Sequence, residues 1–157
     1  MNISKFMHEA IDLSRQKMNE NAGGPFGAVI VKNGEIVGKG WNNVTSHNDP
    51  TAHAEISAIR DACQNLNTFD LTDCEIFTSC EPCPMCFGAI QWARIGKIWY
   101  ANTAQDANDV AGFDDDNFYA EFQKPITERT IPFEQIGQEE AIKVFEEWRD
   151  KTDKIEY

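Results

Sequence analysis

The sequence lacks long apolar runs, and no stretch of its 157 residues approaches the length of a membrane-spanning helix. The N-terminal segment MNISKFMHEAIDLSR places polar residues at helical intervals, which argues against a signal peptide or an anchor. Internal repeats and low-complexity tracts are also absent. We therefore expect one globular domain, large enough to bury a core and without a membrane partner.

Basic residues are scarce in this chain. Lysine and arginine number 14 against 26 aspartates and glutamates, so the formal net charge is -12 at pH 7. This negative charge would repel a polynucleotide, which argues against a nucleic-acid partner. In the simplest interpretation, most of the acidic residues only keep the protein in solution. The five cysteines are an odd number, and two of them belong to a metal-binding motif. This usage suggests a reducing compartment and predicts a cytoplasmic location.

Three of the cysteines lie in one short stretch, 78–93, with the sequence TSCEPCPMCFGAIQWA. Within it, Pro82, Cys83 and Cys86 form the pattern P-C-x-x-C, and residues 53–55 form the upstream pattern H-x-E. This pair of patterns is typical of zinc deaminases that act on nucleobases. The two motifs together are therefore the candidate catalytic site.

The spacing of the two cysteines suits a helix start. Pro84 is expected to be the first helical residue, where the missing N–H of proline costs nothing. Cys83 is then the N-cap and Cys86 the third helical residue, and these two positions face each other, as in a capping box. Two thiolates in this arrangement can bind one metal ion, and the positive end of the helix dipole favours their charge.

His53 follows a second helix-start signal. The segment Asp49-Pro50-Thr51 precedes apolar residues at helical spacing, namely Ile56, Ile59, Cys63 and Leu66. We expect His53 in the first turn, because only near a helix end can His53 and Glu55 both approach one metal ion. Two such helix starts, facing each other, supply two cysteines and a histidine and leave a fourth position open, as in catalytic zinc sites.

Other uses of these side chains stay open from the motif alone. The three clustered cysteines resemble the start of an iron–sulfur run, but no fourth cysteine follows at the required place. Cys80 could close a structural zinc site of three cysteines and one histidine, although it ends a predicted strand. A redox C-x-x-C would leave the H-x-E motif without a purpose. His47 is a further candidate ligand, but it lies in a polar loop, where a surface role is commoner.

The rest of the chain alternates helix and strand patterns. The dipeptide Asn33-Gly34 predicts a tight hairpin turn between two strands. The predicted elements are, in order, a helix at 3–20, strands at 26–31 and 35–41, the His53 helix, a strand at 74–79, a helix at 83–93, a strand at 97–101, and a last amphipathic helix containing Ala141, Val144, Phe145 and Trp148. This order indicates a mixed sheet with helices on both faces. After Asn102 we expect a flexible loop rich in Asp and Asn.

Two segments beside the predicted strands are candidates for ligand binding. The segment GGPFG at 23–27 lacks the Lys-Ser/Thr of a phosphate loop, so Phe26 either presents its ring to a flat ligand or packs in the core. The amide of Asn42 after the second strand either hydrogen-bonds a base edge or caps a turn. The carboxylate run at 114–116 is, in its simplest interpretation, a solvated loop.

Over nearly its whole length, the sequence resembles the bacterial guanine deaminases of the cytidine-deaminase-like superfamily. The zinc motif alone selects the superfamily, whereas GFDD at 112–115 and RTIPF at 129–133 narrow the resemblance to the guanine branch. The other segments that carry it are GPFGAVIV at 24–31, WNNV at 41–44, NDPTAHAE at 48–55 and TSCEPCPMC at 78–86. The tRNA adenosine deaminases share the zinc motif but resemble this chain less beyond residue 105.

The resemblance implies a fold and an assembly. The fold is an α/β three-layer α/β/α sandwich with a central mixed five-stranded sheet, formed by a single zinc-dependent deaminase domain over residues 1–157. The assembly is a homodimer in which the C-terminal segment, about 140–157, is exchanged between subunits.

The resemblance also implies the roles of individual residues. His53, Cys83 and Cys86 bind one Zn²⁺ per subunit, with water as the fourth ligand. Glu55 is the proton shuttle, and Asp114 shares the catalytic role. The residues implied to bind the substrate are Phe26, Asn42, Ala54, Trp92, Asp114 and Tyr157.

The chemistry of guanine suits these residues. Guanine presents two adjacent donors, N1–H and the C2 amine, which one carboxylate such as Asp114 can accept, while its O6 needs a donor such as the Asn42 amide. Adenine and cytosine lack that donor pair. The expected reaction gives xanthine and ammonia, with zinc lowering the pKa of its water from about 15.7 toward about 7 and Glu55 carrying protons to N3 and the amine.

Two rival interpretations remain at this point. A tRNA adenosine deaminase would need a basic groove and bind with strong salt sensitivity, which the net charge argues against. A zinc-stabilised interaction module without activity would unfold on chelation, and Glu55→Ala would then change nothing except stability.

Overall fold

The computed structural model describes residues 4–113 and 116–157. The chain divides into two compact units, Met1–Asp116 and Asn117–Tyr157. Asp114, the residue predicted to recognise guanine, lies outside the described residues, as does Ile3 at the start of the first predicted helix. None of the helices that the structure describes is long and apolar enough to cross a lipid bilayer.

The first unit is built around a mixed sheet. Its strands are β1 (Gly27–Lys32), β2 (Glu35–Trp41), β3 (Cys74–Cys80) and β4 (Lys97–Asn102), in the order β2-β1-β3-β4. Strand β1 pairs antiparallel with β2 and with β3, and β3 pairs parallel with β4. Its helices are α1 (Lys5–Asn19), α2 (Val44–His47), α3 (Ala54–Leu66), α4 (Pro84–Trp92) and α5 (Ala104–Ala111).

The sheet separates two apolar layers. Along β1, Val29 and Val31 pack with Leu13 of α1, whereas Ala28 and Ile30 pack on the opposite face with residues of α3 and α4. This alternation follows from the pleat, in which successive side chains point to opposite faces. Because both faces are covered, β1 is a continuous apolar run rather than an alternating one. The predicted three-layer α/β/α architecture is therefore confirmed.

Helix α3 lies directly on β2 because both surfaces consist of small residues. Ala54, Ala58 and Ala62 follow one another at intervals of four and are fully buried. A Cβ atom on Gly40 would lie 2.2 Å from the Ala54 carbonyl oxygen, and one on Gly38 would lie 2.6 Å from the Ala58 carbonyl oxygen. The apolar residues that signalled this helix in the sequence are only partly buried. The close approach fixes the start of α3, where the H-x-E motif lies.

The second unit contains α6 (Asp116–Gln123), a 3₁₀ helix (Ile126–Glu128) and α7 (Gln138–Asp150). The Glu121 carboxylate, on α6, holds the segment that connects α6 to α7. It accepts hydrogen bonds from the Thr130 backbone N–H at 2.8 Å and from the Thr130 hydroxyl at 2.9 Å, and it forms an ion pair with Lys124. Large apolar side chains of this unit are exposed, among them Phe118, Phe122, Ile131, Phe133, Ile136, Val144, Phe145 and Ile155. The described part of this short unit therefore has little buried apolar core of its own.

The structure corrects two expectations. Four strands, not five, occur among residues 4–113 and 116–157, because the chain after β4 forms helices and carries Pro125 and Pro132, which cannot donate to a sheet ladder. The flexible loop expected after Asn102 is wrong, since this segment is helix α5. Thr103 and Asp106 form a capping box at its start, each side chain accepting from the other's backbone N–H.

Candidate active site

Two helix starts meet in the first unit, and each contributes ligand atoms. His53 is the N-cap of α3, one position before the predicted first turn, and Cys83 is the N-cap of α4, as predicted. The His53 Nδ1 atom lies 3.5 Å from the Cys83 sulfur and 3.5 Å from the Cys86 sulfur. The potential ligand atoms of the three residues all lie within 4.8 Å of one another. The structure thus brings together the three predicted ligands.

The donor set fits zinc. The hydrogen bond from Cys86 lowers the pKa of Cys83 to about 4, despite the opposing effect of burial. The same bond and burial raise the pKa of Cys86. Binding of a metal cation would require both sulfurs to be deprotonated. Two sulfurs and one imidazole nitrogen are ligands that zinc prefers, and three protein ligands leave one tetrahedral position for water or substrate.

The described residues add no fourth protein ligand to this cluster. Cys80 ends β3, as predicted, and its sulfur lies 3.6 Å from the Thr103 carbonyl oxygen. His47 ends the short helix α2 and is exposed. Neither residue is therefore brought into the site, and the geometry is that of an open metal site rather than a closed structural one.

Glu55 lies beside the ligand cluster. Its side chain is buried, and burial raises the pKa of its carboxyl group. The Cys86 thiol donates to Glu55 Oε2 at 3.4 Å, and the Thr78 hydroxyl donates to Glu55 Oε1 at 3.3 Å. A buried carboxyl group with a raised pKa, adjacent to three metal ligands, is a candidate for accepting and returning a proton.

Asn42 is buried, and its amide has a defined orientation. Its Oδ1 atom accepts from the Gly24 backbone N–H at 3.3 Å and from the Val44 backbone N–H at 3.1 Å. Because both partners are donors, the oxygen must be the end that faces them, and the NH₂ group faces the other way. A Cβ atom on Gly23 would lie 2.1 Å from the Asn42 carbonyl oxygen, so this loop closes on Asn42 only with glycine. The oxygen holds a turn, and the NH₂ end can serve as a donor.

Phe26 has the packing role that the sequence left open, while its role toward a flat ligand stays a prediction. Its ring packs against the core and meets Phe113 edge to face, with centroids 4.9 Å apart. It also borders a cavity of ≈ 270 Å³ whose lining includes Cys80, Asn102 and Asp106. The ring is therefore both a packing residue and part of a cavity wall.

The other predicted substrate residues lie in three different parts of the chain, and of these Ala54 adjoins the ligand His53. Ala54 is the first residue of α3 and is fully buried. Trp92 is the last residue of α4 and is 71% exposed; at 1.5 Å rise per residue it lies roughly 13 Å along the helix from Cys83. Tyr157 is an exposed residue of the second unit. The roles of all three, and of Asp114, stay predictions.

Comparison with known proteins shows the family of this chain. The model of the cytidine and deoxycytidylate deaminase zinc-binding region matches residues 1–102, which include all three ligands and Glu55. The chain belongs to this zinc deaminase family. The deaminase is 52% identical to a guanine deaminase of Bacillus subtilis (strain 168) over 157 residues, covering 100% of both chains.

A solved structure and a second relative agree with this family. The deaminase superposes on the X-ray structure of guanine deaminase from Bacillus subtilis with a TM-score of 0.95, covering 100% of this chain and 99% of the other. It is also 36% identical to a tRNA-specific adenosine deaminase of Aquifex aeolicus (strain VF5) over 124 residues, covering 79% of each chain. The first similarity extends over the full chain, whereas the second covers 79% of it.

Sequence reasoning did not identify every residue of the deaminase site. Thr78 lies within the motif segment but received no role, and Gly23 received none toward Asn42. The pleat offers a signal for Thr78, because residues 76, 78 and 80 of one strand share a face. The contact between Gly23 and Asn42 joins a loop to the end of β2, and no local pattern indicates it.

Proposed function

We propose that this zinc deaminase hydrolyses guanine to xanthine and ammonia in the cytoplasm. The observation that carries the proposal is the cluster of His53, Cys83 and Cys86, with the buried carboxyl group of Glu55 beside it. The choice of guanine is supported by the similarity to a guanine deaminase, because the 52% identity extends over both units of the chain. The RTIPF segment at 129–133, which the resemblance ties to the guanine branch, lies beyond the zinc-binding region.

The proposed chemistry separates the roles of the metal and the chain. When bound by the three ligands, zinc supplies a water that is activated near neutral pH. In this scheme the water oxygen would bond to C2 of guanine while the bond from C2 to the amine breaks. Glu55 would pass the two protons of that water in turn, the first to N3 of guanine and the second to the departing amine. Burial of Glu55 keeps bulk water from exchanging these protons. General acid–base help of this kind contributes about a hundred- to ten-thousandfold in rate.

Recognition of the base requires donors and acceptors in fixed places. The NH₂ end of Asn42 is proposed to donate to guanine O6, which the fixed position of its oxygen supports. The Asp114 carboxylate is proposed to accept from N1–H and the C2 amine, two donors that adenine does not present together. Phe26 and Ala54 are proposed to line the pocket from the same chain.

We further propose that residues 1–157 act as one catalytic domain and pair as a homodimer with exchanged C-terminal segments. The exposed apolar side chains of the second unit support this, because patches of this kind mark surfaces that another chain covers. Tyr157 is proposed to close the partner's pocket, and Trp92 is proposed to line the pocket together with Phe26.

Deletion of residues 151–157 tests the exchange. We expect guanine turnover to fall at least tenfold, while the urea midpoint changes little, because the tail would act in the partner's pocket. Sedimentation velocity shows whether the truncated chain stays dimeric. A full-length chain that sediments as a monomer yet turns over guanine would contradict the exchange, and so would a truncated chain with undiminished activity.

The substrate is tested by ammonia release from guanine, guanosine, adenine, cytosine and tRNA, before and after removal and restoration of zinc. We expect release from guanine alone among these, lost with the metal and restored by it. Ammonia from tRNA in place of guanine would favour an adenosine deaminase. Glu55→Gln is the matched variant, since it keeps the shape of the side chain; a protein that retains zinc and near-normal turnover after this change would refute the role of Glu55.

A further inference from the structure

The buried hydroxyl of Thr78 lies against the carboxylate of Glu55. Thr78 is 1% exposed, and its Oγ1 donates to Glu55 Oε1 at 3.3 Å. The second carboxylate oxygen, Oε2, accepts from the Cys86 sulfur at 3.4 Å. The two oxygens of one carboxylate therefore have different surroundings, with strand β3 on one side and the ligand cluster on the other.

The position of the Thr78 hydroxyl is fixed by the sheet. Thr78 lies within β3, where it pairs with Ala28 of β1 and with Tyr100 of β4. Its side chain shares a face with Ile76, which packs in the core cluster that includes residues of α3. The backbone here cannot shift without breaking hydrogen bonds to both neighbouring strands.

The hydrogen bond from Thr78 gains importance when the metal ligands are engaged. A cysteine that ligates a metal is a thiolate and has no proton to donate, so Cys86 can no longer hold Glu55 Oε2. Among the described residues, the Glu55 carboxylate then keeps two of its hydrogen-bond donors, its own backbone N–H and the Thr78 hydroxyl. A buried carboxylate needs such partners to keep one orientation.

We propose that Thr78 is a positioning residue for Glu55: its hydroxyl anchors Oε1, so that Oε2 faces the ligand cluster and carries the proton. The inference rests on the proposed function, because it takes Glu55 to be the group that moves protons. The inference assigns one task to each oxygen of Glu55. Oε1 is held by the Thr78 hydroxyl of β3, and Oε2 is free to exchange a proton with water or with guanine.

The first test compares Thr78→Val, which removes the hydroxyl and keeps the shape, with Thr78→Ser, which keeps the hydroxyl. On zinc-loaded protein and guanine, we expect Thr78→Val to lower kcat about ten- to a hundredfold, with KM changed less than about twofold, because the lost bond orients a reacting group. Thr78→Ser should retain kcat within about threefold. The zinc content of both Thr78 variants should equal that of the unaltered chain. Thr127→Val, which changes an exposed threonine of the second unit, serves as the control.

The second test asks whether Thr78 acts through Glu55. In a double-mutant cycle, Thr78→Val should cost no further activity once Glu55→Gln is present. The urea midpoints of the zinc-free proteins provide a readout independent of activity. The shift of the double variant should be smaller than the sum of the two single shifts, because both changes remove the same hydrogen bond.

Three results would overturn the inference: a normal kcat in Thr78→Val, an equal loss in Thr78→Ser, or additive effects in both cycles. If Thr78→Val does not fold, Thr78→Ala replaces it, because alanine also lacks a side-chain donor, and a normal kcat there has the same meaning. Failure of the proposed function looks different, since the unaltered chain would then release no ammonia from guanine. The urea cycle would still show whether the contact exists.

Discussion

The amide of Asn42 offers a sharp test of substrate recognition, because the two ends of its side chain have separate tasks. The oxygen accepts from the backbone N–H groups of Gly24 and Val44, and the NH₂ end is proposed to donate to guanine O6. Asn42→Asp changes only the second end. It keeps an acceptor for both backbone groups, and their hydrogen bonds to a charged oxygen help to offset its burial.

The expected loss of activity follows from the donor that is removed. A lost hydrogen bond together with an unpaired buried O6 costs about 2–4 kcal/mol, which corresponds to a decrease in kcat/KM of about thirty- to a thousandfold. Xanthine formation measured at several guanine concentrations gives kcat/KM, and urea unfolding gives the stability. We expect the urea midpoint of Asn42→Asp to stay near that of the unaltered chain.

Two further variants separate recognition from folding. Asn42→Ala leaves the N–H groups of Gly24 and Val44 without an acceptor, so it should lower the free energy of unfolding by about 1–3 kcal/mol for each group that stays buried. Asn43→Asp is the matched control, because the Asn43 amide donates to the Trp41 carbonyl oxygen at 3.1 Å and has no proposed role in binding. Retention by Asn42→Asp of kcat/KM within about threefold would refute the reasoning.

Two other predictions concern stability. Gly23→Ala should lower both stability and guanine turnover, because its Cβ atom would lie 2.1 Å from the Asn42 carbonyl oxygen. Gly88→Ala is the control, since nothing lies within 4 Å of the added atom; its free energy of unfolding should rise by up to about 1 kcal/mol. Hydrogen bonds from Lys124 and Thr130 lower the pKa of Glu121 from 4.5 to about 2, so the charged carboxylate stabilises the folded state at pH 7. Glu121→Gln removes this charge and should lower Tm at pH 7. The difference in Tm should shrink as the pH falls from about 4.5 toward 2, where the carboxylate becomes protonated.

Each of these stability predictions has a contradicting outcome. Equal Tm values and turnover for the Gly23 and Gly88 variants would show that the loop accommodates the added methyl group without displacing Asn42. A Tm difference for Glu121→Gln that stays constant between pH 7 and pH 2 would show that the charged carboxylate does not hold the connecting segment.

The ligand geometry could be predicted because it follows local rules. Pro84 at a first helical position makes Cys83 an N-cap, and the structure has this arrangement. The helix-start signal before His53 was accurate to one residue, since N-caps and first turns share the same sequence preferences. Both are short-range effects, in which a few neighbouring residues determine the backbone.

Long-range contacts could not be predicted in the same way. The glycines of β2 and the alanines of α3 let the helix approach the sheet, and neither pattern alone indicates the other. The bond between Thr78 and Glu55 joins residues 23 positions apart and depends on that approach. Helix α5 was missed although its capping box is visible at Thr103 and Asp106, because the Asp- and Asn-rich composition favoured a loop interpretation.

The central claim is a metal held by three protein side chains beside a carboxyl group that moves protons. X-ray absorption at the zinc edge of the purified, zinc-loaded protein tests it most directly. We predict two sulfurs at about 2.3 Å and two nitrogen or oxygen atoms at about 2.0–2.1 Å, one of them exchangeable. A shell of three sulfurs and one nitrogen, as a closed site with Cys80 would give, would contradict the account.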